Sequence, residues 1–199
     1  MSYATRGLLL GVAAMALVVV ASNILVQHPI QLDRSVFGIP ASELWTWGAL
    51  TYPVAFLVTD LCNRALGPGQ ARRVVYAGFA LAVVLSIAFA GWRIALASGT
   101  AFLSAQLLDV TVFDRLRRLR WWQAPLISST LASTLDTLLF FALAFAGTAV
   151  PWVTLALGDY AVKLLVALVL LIPFRALIAV LPQAGAPTRR PANLPAGGP

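Results

Sequence analysis

"TYPVAFLVTDLCNR", residues 51–64, has the composition of the inner half of a membrane-spanning helix, yet it carries Thr59, Asp60, Asn63 and Arg64 where lipid favours leucine. A charged side chain at the centre of such a helix costs about 2.5 to 3.5 kcal/mol, so each one must face a partner, a cavity or a ligand. The stretch therefore predicts both a transmembrane helix and a polar interior.

The whole chain has the composition of an integral membrane protein. Of its 199 residues, 60% are hydrophobic and 11% are charged, and the mean hydropathy is +0.88. The net charge of +7 would favour nucleic acid as a partner of a soluble protein. Here the arginines lie between apolar runs, where membrane orientation and anionic lipid explain them. We therefore expect the lipid bilayer as a partner and no nucleic acid.

Six apolar segments have the roughly 20 residues that a helix needs to cross a bilayer. They are residues 7–27, 44–62, 74–91, 93–113, 124–148 and 152–172. Only the turn around Gly91 separates the third from the fourth, which predicts a tight hairpin. The predicted fold is therefore all-α, a polytopic integral membrane protein with six transmembrane helices. A single transport domain, 1–181, precedes a disordered Pro/Gly-rich tail, 182–199.

The arginines indicate the direction of these spans, because cytoplasmic loops carry an excess of positive charge. Two arginines, Arg34 and Arg93, fall on one side. The other side carries Arg6, Arg64, Arg72, Arg73, Arg115, Arg117, Arg118, Arg120, Arg175, Arg189 and Arg190. This asymmetry predicts that both termini of the multi-pass protein are cytoplasmic.

Motifs of catalysis and metal binding are missing from the sequence. The single cysteine, Cys62, excludes an internal disulfide and is expected to be a packed small hydrophobe. No HExxH, GxSxG, Walker or Cys/His pattern is visible, so we expect no enzyme, no metal and no cofactor. The longest loop, between Gln27 and Glu43, leaves no room for a soluble catalytic domain. Any chemistry must therefore take place among the helices.

Polar and aromatic residues share helix faces at the spacing of three to four residues that places them side by side. One such stripe, on the second span, joins Tyr52, Phe56, Asp60 and Asn63. The predicted substrate-binding residues are Asn23, Gln27, Tyr52, Phe56, Asp60, Asn63, Gln106, Asp109, Asp136 and Lys163. Asp60 is predicted to bind substrate, with Tyr52 and Phe56 along the same face.

Each of these residues also has a purely structural interpretation. Asp159 and Lys163 are four residues apart, the spacing of an ion pair, and Asp60 with Arg64 has the same spacing near the membrane edge. Serines on a stripe often only let helices pack and form hydrogen bonds; we favour this interpretation for Ser98, Ser129 and Ser133. The structural interpretation is weaker for Asp109 and Asp136, because neither has a cation one turn away on its own helix.

Four blocks of the sequence resemble the VUT family of queuosine precursor transporters. They are "ASNILVQHPI" (21–30), "WGALTYPVAFLVTDLCNRALGPGQARRVVYAGFALAVVLS" (47–86), "RIALASGTAFLSAQLLDVTVFDRLR" (93–117) and "WWQAPLISSTLASTLDTLLFF" (121–141). The resemblance extends from about Ala21 to about Lys163. The block from Thr-Tyr-Pro through Thr-Asp-Leu to Asn-Arg is its most specific part.

The resemblance implies import of 7-deazaguanine bases, such as prequeuosine bases or queuine, across the inner membrane for salvage into tRNA modification. A deazaguanine offers donors on its N1/N2 edge and an acceptor at O6, so it suits carboxylates, amides and aromatic faces. We expect a secondary transporter that works by alternating access. The alternative is the substrate-binding membrane subunit of an energised importer of vitamins or purine-like compounds. The sequence leaves open whether the unit is a homodimer.

Overall fold

The computed structural model describes residues 2–31, 35–36, 39–40 and 45–181. In chain order the elements are α1 (Tyr3–Leu25), β1 (Ser35–Val36), β2 (Ile39–Pro40), α2 (Trp47–Thr51), α3 (Val54–Leu66), α4 (Pro68–Ala90), α5 (Trp92–Leu116), α6 (Gln123–Phe145) and α7 (Trp152–Val180). The two short strands pair antiparallel. The predicted tail, 182–199, and the predicted start of the second span at 44 lie outside the described residues.

Five helices, α1, α4, α5, α6 and α7, are long and apolar enough to cross a membrane. Large apolar side chains point outward from them, among them Leu10 (71% exposed), Leu165 (61%) and Ile172 (73%). Aspartates and a lysine are buried instead, including Asp109 and Lys163. Apolar side chains outside and charged side chains inside are the reverse of the arrangement in a soluble protein, as expected where lipid is the solvent. This arrangement confirms the predicted all-α, multi-pass membrane protein.

The second predicted span is not one continuous helix, as residues 44–62 were expected to be. Helix α2 ends at Thr51, and α3 begins at Val54 after a turn at Tyr52 and Pro53. Pro53 has no backbone N–H to bond the preceding turn, so the helix is interrupted there, although Tyr52 keeps a helical backbone conformation (φ −55°, ψ −42°). From Trp47 to Leu66 the two pieces together have about the 20 residues of one crossing. The break places Tyr52 at a helix junction inside the bundle.

Helix α3 lies at the centre of the bundle, where it contacts α1, α4, α5, α6 and α7. Around it, α1 packs on α4, α4 on α5, α5 on α6 and α6 on α7, and α2 contacts both α1 and α7. The predicted hairpin between the third and fourth spans is confirmed, because Gly91 alone separates α4 from α5. Its φ of 78° is one that glycine adopts without strain.

Glycines allow α1 to approach the broken segment closely. A Cβ added at Gly48 on α2 would lie 2.5 Å from the backbone nitrogen of Val26. One added at Gly11 on α1 would lie 2.6 Å from the Sγ of Cys62 on α3. Small residues at such contacts let helix backbones approach each other in membranes. Cys62 is buried at this contact, which confirms the expectation of a packed small hydrophobe.

Arginine side chains hold helix ends together by donating to backbone carbonyl groups there. Arg117 donates to the carbonyl oxygens of Asn63 (3.4 Å) and Arg64 (3.3 Å) at the end of α3. In return, Arg64 Nη1 donates to the carbonyl oxygen of Arg117, 2.6 Å away. Arg93 likewise bonds the carbonyl oxygen of Ala146 after α6, at 2.8 Å. Arg64, Arg93 and Arg117 therefore stabilise helix packing as well as contributing charge.

Candidate functional site

A cavity of about 380 Å³ opens within the bundle, with walls from α1, α2, α4, α5, α6 and α7. We call it the central cavity. Its volume lies in the range of about 300 to 1,000 Å³ that is typical of small-molecule sites. The polar residues of its lining are Ser22, Asn23, Thr46, Tyr52, Ser86, Ser98, Asp136, Asp159 and Lys163. Its aromatic residues besides Tyr52 are Phe102, Phe140, Phe141 and Phe145. The central cavity thus combines flat apolar faces with a few polar groups.

One wall of the central cavity carries a buried charge cluster made by α6 and α7. Lys163 Nζ lies 2.7 Å from Asp136 Oδ2 and 2.5 Å from Asp159 Oδ2. It also donates to the hydroxyl of Thr137 at 3.1 Å, and that hydroxyl donates to Asp159 Oδ2 at 2.9 Å. With two carboxylates and one ammonium, the cluster has one negative charge in excess when all three groups are ionised.

The cluster confirms one prediction and adds a partner that helical spacing does not reveal. The pair of Asp159 and Lys163, four residues apart on α7, is present as expected. Asp136 contributes the second carboxylate from α6, across the helix interface. Because periodicity relates only residues of one helix, the spacing of Asp136 gave no sign of its cation. Asp159, expected only as the partner of Lys163, proves to be part of the cavity wall.

Tyr52 links the helix break to the charge cluster. Its hydroxyl donates to Asp136 Oδ1 at 2.9 Å, and Lys163 Nζ lies 5.4 Å from the centre of its ring. The ring also packs edge-on against Phe56 and Phe102, with centroids 6.3 and 6.2 Å apart. Both oxygens of Asp136 are thereby engaged. Asp159 Oδ1 accepts no hydrogen bond from the described part of the chain, so it is the acceptor left for a ligand.

Four of the ten predicted site residues line the central cavity. They are Asn23, Tyr52, Asp136 and Lys163. The amide of Asn23 donates to the carbonyl oxygen of Val19 at 2.9 Å, which orients its side chain. Gln27 is exposed one turn further along α1, where its amide donates to the carbonyl oxygen of Asn23 at 3.3 Å. Gln27 and the remaining five predicted residues are not part of the cavity lining.

Those five residues are buried in a second polar region, between α3, α5 and α6. They are Phe56, Asp60, Asn63, Gln106 and Asp109. Thr59 donates to Gln106 Oε1 at 2.6 Å, and the amide of Asn63 donates to the carbonyl oxygen of Val110 at 2.8 Å. The expected stripe on α3 therefore faces neighbouring helices. The polar interior consists of two regions, with aromatic rings of Tyr52, Phe56 and Phe102 between them.

A small cavity of about 20 Å³ adjoins this second region. Phe56, Asp60, Ser129 and Ser133 contribute to its lining. A space of roughly 10 to 15 Å³ by this measure holds one water molecule. It is far too small for a base, so the central cavity is the candidate substrate site. Among the described residues no group of histidines, cysteines or acids is arranged to hold a metal ion.

The chain matches the profile of a family described as "Putative vitamin uptake transporter", over residues 46–91 and 87–178. It is 37% identical to a "Queuosine precursor transporter" of Escherichia coli, over 79% of each chain. It is 35% identical to a "Probable queuosine precursor transporter" of Haemophilus influenzae, over 78% of this chain and 79% of the relative. A relative of the same description from Bacillus subtilis is 28% identical over 75% of each chain.

No solved structure matches the chain at a significant level. The family profile nevertheless covers every helix from α3 to α6 and nearly all of α7, and the two relatives above 30% identity extend over most of the sequence. The charge cluster and the broken segment both lie within the matched residues. The chain therefore belongs to the vitamin uptake transporter family, whose curated relatives are transporters.

Proposed function

We propose that the protein imports queuosine precursors, 7-deazaguanine bases such as prequeuosine bases or queuine, for salvage into tRNA. The observation that carries the proposal is the charge cluster of Asp136, Asp159 and Lys163 on the wall of a cavity of about 380 Å³. Relatives named queuosine precursor transporters support the substrate class. Membrane helices around the cavity support transport over catalysis.

The central cavity matches the chemistry of such a base. Asp159 Oδ1 accepts a hydrogen bond from the N1/N2 donor edge, and this bond is strong because the acceptor is charged. The amide of Asn23, which has a second N–H group besides the one bonded to Val19, serves the acceptor at O6. The rings of Tyr52 and Phe102 supply apolar faces for the flat heterocycle. The excess negative charge of the cluster also favours a ligand that brings donors over one that brings acceptors.

In this proposal the carboxylate that binds the base is Asp159, in place of Asp60, where the sequence predicted it. Asp60 lies in the second polar region and is 2% exposed. A base in the central cavity would meet Tyr52 of the predicted stripe but not Asp60. Phe56 would act on the base only through Tyr52, whose ring it contacts.

The broken segment supports a transport cycle of alternating access. Discontinuous helices at substrate sites are a recurring device in secondary transporters, because their ends rearrange without breaking a whole helix. Tyr52, at the break between α2 and α3, already bonds the charge cluster. We propose that the cavity opens alternately to the two sides in a protein of the inner membrane. The excess of arginine on one side supports an orientation with both termini cytoplasmic.

The second candidate function is a substrate-binding membrane subunit of an energised importer of vitamins or purine-like compounds. The description of the matched family favours it. Uptake by proteoliposomes that contain this chain alone distinguishes the two functions. Net uptake without added ATPase subunits supports the transporter. Uptake that requires ATP hydrolysis by copurified subunits supports the alternative.

The direct test measures binding of a labelled prequeuosine base to purified protein and its exchange across proteoliposome membranes. Asp159→Asn replaces an acceptor oxygen by a donor that faces the donors of the base. A hydrogen bond to a charged group contributes about 1.5 to 3 kcal/mol, so we expect the dissociation constant to rise about tenfold to a hundredfold. Asp114→Asn is the matched control, since Asp114 pairs with Arg117 outside the cavity. Equal affinity of Asp159→Asn and parent would exclude this reading of the cavity.

A further inference from the structure

Two aspartates, Asp60 on α3 and Asp109 on α5, form a buried carboxyl pair outside the central cavity. Asp60 is 2% exposed and Asp109 is fully buried. Hydrogen bonds from Thr59 to Gln106 and from Asn63 to the carbonyl oxygen of Val110 hold α3 against α5 at this level, where the two carboxyl groups are neighbours. The hydroxyl of Ser128 on α6 lies 3.5 Å from Asp60 Oδ1. Within the described residues, neither carboxyl oxygen of Asp109 accepts a hydrogen bond, so Asp109 is a buried carboxyl group beside a second carboxyl group.

Charged and titratable groups on the surrounding helices have other contacts. Lys163 on α7 binds Asp136 and Asp159, and Arg64 on α3 donates to the carbonyl oxygen of Arg117. These helices carry further charged or titratable side chains, namely Tyr3 and Arg6 (α1), Cys62 (α3), Arg72, Arg73 and Tyr76 (α4), Arg93, Asp114 and Arg115 (α5), and Tyr160 and Arg175 (α7). Arg72, Arg73 and Tyr76 are exposed, Cys62 faces Gly11, and Arg175 lies over Trp121. Ser128 and Ser129 face the pair from α6.

Two neighbouring buried carboxylates cannot both be ionised without a large cost in free energy, because like charges repel strongly in a low-dielectric interior. One proton held between them removes the repulsion and turns two acceptors into a donor and an acceptor. Such a pair titrates as a unit that gains or loses one proton. We propose that Asp60 and Asp109 together bind the proton that drives base uptake. The coupling role rests on the proposed transport function.

Space for one water molecule lies beside Asp60. The small cavity of about 20 Å³ reaches Asp60, Ser129 and Ser133. Ser133 Oγ is buried without a hydrogen-bonding partner in the part of the chain that the structure describes. A single water molecule needs two to four polar partners, and these three side chains supply them. Water in this space would be in contact with Asp60 and could exchange a proton with it.

The two helices that carry the carboxyl pair also reach the central cavity. Asp60 follows Tyr52 by eight residues, about 12 Å of chain in a helix, and Asp109 follows Phe102 by seven, about 10 Å. The hydrogen bond from Thr59 to Gln106 ties α3 to α5 between these levels. Gain or loss of the proton changes how closely α3 and α5 pack. Both helices can transmit that change to Tyr52 and Phe102 at the cavity wall, so proton and base bind to linked but separate sites.

Proteoliposomes given a radiolabelled prequeuosine base in the external buffer test the proposal. With the parent protein, an inward pH gradient of one unit should accumulate the base up to about tenfold for one proton per base, since 1.4 kcal/mol corresponds to a factor of ten. A protonophore should abolish this accumulation. Asp60→Asn and Asp109→Asn should bind and exchange the base but accumulate none, with an inside-to-outside ratio of about one. The control Asp114→Asn should behave like the parent.

Accumulation by either variant at the parent level would overturn the proposal. So would accumulation driven by a sodium gradient in place of the pH gradient, or loss of base binding in both folded variants. If neither variant folds, infrared spectroscopy of the parent protein tests the shared proton through the carbonyl band of a protonated carboxyl group. This band should be present at neutral pH and be deuterium-sensitive, and its absence would refute the shared proton. A parent that shows the band but exchanges no base would refute the proposed function and leave the proton site standing.

Discussion

Lys163→Met is expected to destabilise the protein severely, because Lys163 holds two buried carboxylates. Its ammonium group contacts Asp136 Oδ2, Asp159 Oδ2 and the hydroxyl of Thr137. Side-chain exposures are 5% for Lys163, 5% for Asp136 and 15% for Asp159, so solvent barely screens the charges. Removing one partner of a buried ion pair costs about 3 to 5 kcal/mol, because the other charge remains buried. We expect a loss of this size in the free energy of unfolding.

A second substitution separates charge from packing in this experiment. In the double variant Lys163→Met/Asp136→Asn one carboxylate and the ammonium are removed together, so the net charge of the cluster equals that of the parent. Neutral replacement of a buried pair is often close to neutral in stability, so the double variant should recover most of the loss. Leu165→Met, on the lipid-facing side of α7 and 61% exposed, is the control for the methionine.

Denaturant unfolding of purified protein in detergent micelles, followed by tryptophan fluorescence, measures these differences. The reasoning predicts a large loss for Lys163→Met, a partial recovery in the double variant and no change for Leu165→Met. A loss below about 1 kcal/mol for Lys163→Met would refute the reasoning, because it would show that the contacts of Lys163 with Asp136 and Asp159 contribute no more than solvent-exposed ion pairs do. A double variant less stable than Lys163→Met would show that Asp136 is held by contacts other than Lys163.

Three further changes follow from the same contacts. Tyr52→Phe removes the hydroxyl that bonds Asp136 but keeps the ring, so we expect a stability loss of about 1.5 to 3 kcal/mol, measured by the same unfolding assay. Gly48→Ala would place a Cβ 2.5 Å from the backbone of Val26 and should cost about 1 to 3 kcal/mol, whereas Gly69→Ala, with open space around it, should be tolerated. Arg117→Gln weakens the bonds to the end of α3 and should lower the melting temperature while leaving the dissociation constant for the base unchanged; a large rise in that constant would contradict the placement of the site.

The sequence by itself determined the class of the fold and much of its outline. Apolar runs of spanning length must form helices in lipid, because backbone groups find no other partners there. The hairpin at Gly91 and the pair of Asp159 and Lys163 depend on neighbours in the chain, so residue types and spacing predicted them. The packing of Cys62 followed from its residue type alone. The break in the second span also has a local signal, Pro53. The span was predicted from the length of its apolar segment, which carries no information about a break.

Only the tertiary structure decided which polar residues meet. Helical periodicity assigns Asp60, Asp109 and Asp136 to faces of their own helices, but it says nothing of which helix each face meets or at what depth. Packing brings Asp136 to Lys163 across α6 and α7, and it sets Asp60 against Asp109 across α3 and α5. The predicted polar interior thereby consists of two separate regions. The difference arises because helix order and axial offset depend on side-chain packing along whole interfaces, which no single stretch of sequence contains.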